Sequence, residues 1–133
     1  MTICNPIHTI FDPSNKNNHC MSEINEIMEA LLKFRDERNW SQFHNIKDLA
    51  LALSIEAAEL NELFLWKNED ELEKTDPGKI QDELADILSY AFLISEKYNF
   101  DIRKIMLEKI NKNKKKYPIE KSLGNAKKYN ELR

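Results

Sequence analysis

Two pairs of acidic residues stand where helix faces otherwise read as apolar. Glu56 and Glu59 lie in the run Leu49-Ala-Leu-Ala-Leu-Ser-Ile-Glu-Ala-Ala-Glu-Leu60, and Glu83 and Asp86 in Ile80-Gln-Asp-Glu-Leu-Ala-Asp-Ile87. The i, i+3 spacing puts both members of each pair on one face of a helix. At about 100° per residue, Glu56 falls within about 60° of Leu49, Ala52, Leu53, Leu60 and Leu63. Glu83 falls among Ile80, Ile87, Tyr90 and Ile94. An unpaired ionised carboxylate in such surroundings costs several kcal/mol or more. Four together repel one another and call for a cation. A hard divalent ion with oxygen ligands answers that need, and Mg²⁺ commonly arrives with a phosphate substrate. The competing reading is a set of solvated surface acids, the ordinary fate of a helical Glu. Two pairs, each central on an apolar face, speak against it.

A cluster of this kind requires two adjacent antiparallel helices, and the sequence supplies them. Residues 22–38 read as a first helix with Ser22 as N-cap and Ile24, Ile27, Met28, Leu31 and Leu32 inward. A ring-rich loop follows, Asn39-Trp-Ser-Gln-Phe-His-Asn45. A second helix begins after Asn45, its N-cap with Asp48 at N3, and runs to about Lys67. An acidic connector, 68–76, leads to a third helix that opens at Pro77 under an Asp76 cap and runs to about Tyr98. A fourth runs from Asp101 to Lys116 and stops at Tyr117-Pro118. Residues 1–21, polar and rich in Asn, read as a disordered or extraneous segment, with Met21 a candidate initiator. Residues 119–133 read as a mostly irregular tail. The fold class is therefore all-α, a four-helix bundle over 22–118. Its second and third helices are apolar on more than one face, through Ile55, Leu65, Leu88, Phe92 and Leu93. One subunit of this size cannot cover them, which predicts oligomerisation through the central helices, as a homodimer or higher.

The 133 residues bound one domain, and two glycines with four prolines argue against a β-rich fold. A net charge of −3 gives no reason to expect binding to a nucleic-acid polymer. Cys4 and Cys20 show neither metal-type spacing nor a disulfide framework, so a reducing cytoplasm is the default. No apolar run has membrane-spanning length.

Glu56-x-x-Glu59 followed by Glu83-x-x-Asp86 resembles the signature of the all-α nucleotide pyrophosphohydrolases, the MazG-like superfamily. Trp40-Ser-Gln-Phe-His44, Glu59-Leu-Asn-Glu-Leu-Phe-Leu-Trp66 and Lys109-Ile-Asn-Lys-Asn113-Lys-Lys-Lys-Tyr117-Pro118 resemble its dCTP pyrophosphatase branch in order and spacing. The resemblance covers about residues 22–132 and implies a homotetramer built as a dimer of dimers. It implies Mg²⁺, with Mn²⁺ an alternative, on Glu56, Glu59, Glu83 and Asp86. It also implies cleavage of a nucleoside triphosphate, dCTP or a related pyrimidine nucleotide, to the monophosphate and pyrophosphate. Glu59 and Glu62 are the candidate bases. Trp40, Trp66 and Tyr90 would wall a base slot, with His44 hydrogen-bonding nearby. Flat rings stack on bases at about 1–3 kcal/mol each, but Trp66 and Tyr90 read equally as ordinary core. Lys109 and Asn113 would hold phosphates, with Lys116 and Tyr117 adjoining. Lys112, Lys114 and Lys115 read as a solvated helix end favoured by the dipole.

Other readings stay open beside it. A di-iron carboxylate bundle needs Glu-x-x-His motifs, and His8, His19 and His44 each lack a Glu three residues before them. A non-catalytic helical interaction module is a second class. A dUTP or phosphoribosyl-ATP type of pyrophosphohydrolase lies within the same superfamily.

Overall fold

A computed structural model describes residues 22–132, and the expectations for residues 1–21 fall outside them. The described residues are helical, with no strand among them. Helix α1 is Glu23–Asp36, α2 Ile46–Glu62, α3 Glu69–Leu72, α4 Pro77–Lys97, α5 Ile102–Lys116 and α6 Ile119–Ser122. Four of the starts carry the caps their sequences announce. The side chains of Ser22, Asn45 and Asp101 accept from the backbone N–H three residues on, and Asp76 accepts from Gly78 at 2.9 Å with Pro77 in the first turn.

Three boundaries differ from expectation, each for a local reason. The first helix stops at Asp36, and Trp40–Phe43 form a 3-10 turn entered through Asn39 in the left-handed region (φ 53°), a conformation Asn tolerates. Helix α2 ends at Glu62 rather than Lys67, and the chain turns through Trp66 at φ 62°. The acidic connector contains α3, because Asn68 and Glu71 form a reciprocal capping box. The tail is also more ordered than its composition suggests. It holds α6 and a 3-10 turn at Tyr129–Glu131, and Tyr129 packs edge-on against Tyr117 at 6.2 Å.

The dominant packing is α2 against α4; α1 rests more sparsely on α4, and the 3-10 turn packs on α1. Lys67 Nζ donates to the buried Thr75 hydroxyl at 3.1 Å, tying the end of the α2 segment to the start of α4. Leu49 (2% exposed) and Leu93 (4%) are the buried apolar residues among those described. Truncating Leu49 to Ala should cost about 2–5 kcal/mol, measurable as a shift in the denaturant midpoint at unchanged slope. Ile27, expected inward, stands 55% exposed. So small an interior leaves two ridges bare. Leu51 and Ile55 on α2, and Leu84 and Leu88 on α4, each spaced i, i+4, are 47–58% exposed. No helix among the described residues is long and apolar enough to cross a membrane.

Candidate metal and nucleotide site

The antiparallel α2–α4 pair brings carboxylates from both helices to one point. Glu56, Glu59 and Glu83 each offer an oxygen, and these oxygens lie within 4.8 Å of one another. Glu56 and Glu83 are half-buried and Glu59 is exposed. Burial, then the charges of Glu59, Asp86 and Glu83, push the Glu56 carboxyl above its ordinary range. Glu83 is pushed up likewise by burial and by Glu59, Asp86, Asp82 and Glu62. Every charge acting on these two groups is thus another acid. Such a set is short of positive charge, and its hard oxygen donors suit a divalent cation of the Mg²⁺ type. Asp86 stands outside the tight trio but is electrostatically coupled to Glu56 and Glu83. Glu62, exposed in the last turn of α2, reaches Glu83 the same way.

A cavity of about 430 Å³ adjoins the cluster, and Asp86 lies in its wall. Trp40, His44 and Tyr90, all expected in a base slot, line it together. Burial and the Glu56 and Asp86 charges push the Tyr90 phenol up, so it remains a donor at neutral pH. Burial, reinforced by Arg35 and Lys97, holds the His44 imidazole below its ordinary range, hence neutral near pH 7. Its Nδ1 is buried with no hydrogen-bond partner among the described residues. Trp40 is braced from behind. Phe34 meets it edge-on at 5.7 Å, and the Arg38 guanidinium sits 3.8 Å from the Phe34 ring centre while donating to the Phe34 carbonyl at 2.8 Å.

Sequence reasoning missed Leu31, Phe34, Arg35, Ser89 and Leu93, which complete the cavity. Phe34 and Leu93 carry the apolar signal of any helix face, and Arg35 resembles a terminal charge of α1. Other expected residues stand apart. Trp66 is 92% exposed on the turn after α2 and outside the cavity, which removes its reading as a core residue. Lys109, Asn113 and Lys116 are exposed on α5, and Tyr117 caps it. Helix α5 makes no packing with α2 or α4 comparable to theirs with each other. Lys116 Nζ instead lies 4.9 Å from the Tyr129 ring centre.

Comparison with known proteins agrees with this architecture. The MazG-like family model matches residues 51–132, a stretch that holds all four carboxylates and begins after Trp40 and His44. The chain is 33% identical over 91 residues to dCTP pyrophosphatase 1 of Rattus norvegicus and to that of Homo sapiens, and 35% identical over 91 residues to that of Bos taurus. Each match covers 65% of this chain and 54% of the relative, so the chain spans about half the length of the curated relatives it matches. A crystal structure of a pyrophosphatase from Archaeoglobus fulgidus superposes with a TM-score of 0.71 at 34% identity, covering 77% of this chain and 99% of that one. With the paired carboxylates on paired helices and more than half its length matched, the chain belongs to the MazG-like family.

Proposed function

We propose that this protein is a nucleoside triphosphate pyrophosphohydrolase. It would cleave dCTP or a related pyrimidine nucleotide to the monophosphate and pyrophosphate. The observation that carries the reading is the convergence of Glu56, Glu59 and Glu83 within 4.8 Å beside an aromatic-walled cavity. The named activity of the relatives supports it.

Glu56, Glu59, Glu83 and Asp86 would hold the divalent ion, Mg²⁺ or Mn²⁺. When bound, that ion supplies neutralisation of the triphosphate and polarisation at phosphorus. Glu59 or Glu62 would take a proton from the attacking water. The water oxygen then bonds to the α-phosphorus, and the bond to the bridging oxygen breaks to release pyrophosphate. Trp40 and Tyr90 would sandwich the base, with His44 at its edge. Lys109, Asn113, Lys116 and Tyr117 would grip the β- and γ-phosphates, and Trp66 would close the slot. These five stand off the cluster within one subunit. A second copy, docked on the bare ridges of α2 and α4, is the natural source of that completion.

Assaying canonical and modified nucleoside triphosphates with Mg²⁺ tests this, with pyrophosphate and orthophosphate measured separately. Monophosphate with pyrophosphate in one step is expected. Diphosphate with orthophosphate would mean attack at the γ-phosphorus and would sink the proposal. In the same assay, Trp40→Ala should weaken binding by roughly 1–3 kcal/mol, the worth of one stacked base. The loss should appear in KM with kcat nearly unchanged.

A further inference from the structure

Arg35 is a half-buried cation that the proposed reaction leaves without a task. Its side chain is 11% exposed and reaches the wall of the base cavity from the last turn of α1. Two carboxylates hold it. Nε donates to Asp36 Oδ1 at 2.7 Å, and Nη1 donates across to Glu96 Oε2 on α4 at 3.3 Å. That double pairing offsets its charge without exhausting its N–H donors, since a guanidinium carries more than two and accepts none. A side chain so placed is poorly suited to a phosphate, whose charge would compete with Asp36 and Glu96. It suits a neutral acceptor with a fixed direction. A base lying between Trp40 and Tyr90 presents such acceptors at its edge, and His44 lines the same cavity.

We propose that Arg35 is a specificity-determining residue of the base slot, donating from its guanidinium to the 2-carbonyl oxygen of a pyrimidine. That oxygen is the acceptor cytosine and uracil share. Arg35 therefore selects a pyrimidine carbonyl without choosing between the two bases, and the choice between them falls to His44. The carboxylates of Asp36 and Glu96 act as positioning groups, fixing the fork from two different helices.

This assignment rests on the pyrophosphohydrolase reading, and the test separates the two. Steady-state kinetics with Mg²⁺ would compare dCTP, its 2-thio analogue and abasic deoxyribose 5′-triphosphate on the full chain, on Arg35→Ala and on Arg35→Lys. Lysine keeps a cation between the carboxylates but lacks the planar fork, so it carries the test should the alanine variant fail to fold. Both variants should raise KM for dCTP about tenfold, the usual cost of losing a hydrogen bond from a charged donor. KM for the abasic substrate should not move. The 2-thio analogue, a poor acceptor, should start with a raised KM and be insensitive to either change. Equal losses on all three substrates would mark Arg35 as merely structural and overturn the assignment, as would an unchanged KM for dCTP in both variants. Turnover of none of the three by the parent chain would overturn the enzymatic reading and this assignment together.

Discussion

Glu56→Gln and Glu83→Gln should each abolish turnover, with losses of about a thousandfold or more, while leaving the helices intact. Each substitution keeps the shape of the side chain and removes one hard anionic ligand. Several kcal/mol of charge stabilisation at the reacting phosphate depends on that ligand set, and each 1.36 kcal/mol is about tenfold in rate. The two carboxyls already titrate above their ordinary range, because burial and neighbouring acids oppose their ionisation. Neutralising one therefore relieves repulsion in the metal-free chain. Its melting temperature should hold or rise, whereas the stabilisation conferred by added Mg²⁺ should shrink. Linkage gives the pH direction. A group whose folded pKa is raised contributes stability below its unfolded pKa and loses it as pH rises through the folded value. The metal-free parent should accordingly be destabilised on moving from mildly acidic to neutral pH, and Mg²⁺ should restore the difference. Pyrophosphate release, circular dichroism and thermal melts with and without Mg²⁺ check all of this. Retention of most activity in both variants would remove the metal assignment.

A charge placed on either bare ridge should be nearly as damaging, although it lies away from the acids. Ile55→Asp on α2 and Leu88→Glu on α4 alter residues that are half exposed in one subunit. In free solvent such changes would be worth a few tenths of a kcal/mol. In an interface between copies they bury an unpaired carboxylate, which costs several kcal/mol. The parent should sediment at two or four times its 15.7 kDa chain mass at micromolar concentration. The variants should dissociate, and activity should fall with assembly if a second copy completes the site. A parent that sediments only as the single chain would refute the oligomer and leave Lys109, Asn113 and Trp66 without a route to the acids.

The acids were legible because their chemistry contradicts their surroundings. A Glu between Ile55 and Ala57, or between Asp82 and Leu84 on a face with Ile80 and Ile87, is a local anomaly that spacing alone exposes. The caps at Ser22, Asn45, Asp76 and Asp101 were legible for the same reason, since each needs only its own next few residues. Arg35 was not, because its defining partner, Glu96, is 61 residues away in sequence. At the end of a helix an arginine is unremarkable until the tertiary pairing is known. Helix α3 could have been found. Asn68 followed by Glu71 is a capping-box spacing, but the run of acids around it reads first as a solvated connector. The exposure of Trp66 also lay beyond spacing. It follows from a left-handed turn that ends α2 one turn sooner than the apolar pattern suggests.

The uneven packing of the helices also orders them in time. Helix α1 rests sparsely on α4, with its 3-10 turn packed back on α1, and the Arg35–Glu96 ion pair links α1 to α4. Segments held by few contacts open at lower free energy than the global transition. Backbone amides of α1 should therefore exchange with deuterated solvent well before those at the centres of α2 and α4. A ligand seated against Trp40 and Arg35 should slow exchange in α1 selectively, so the base wall is fixed by occupancy while the acidic floor is rigid before anything binds.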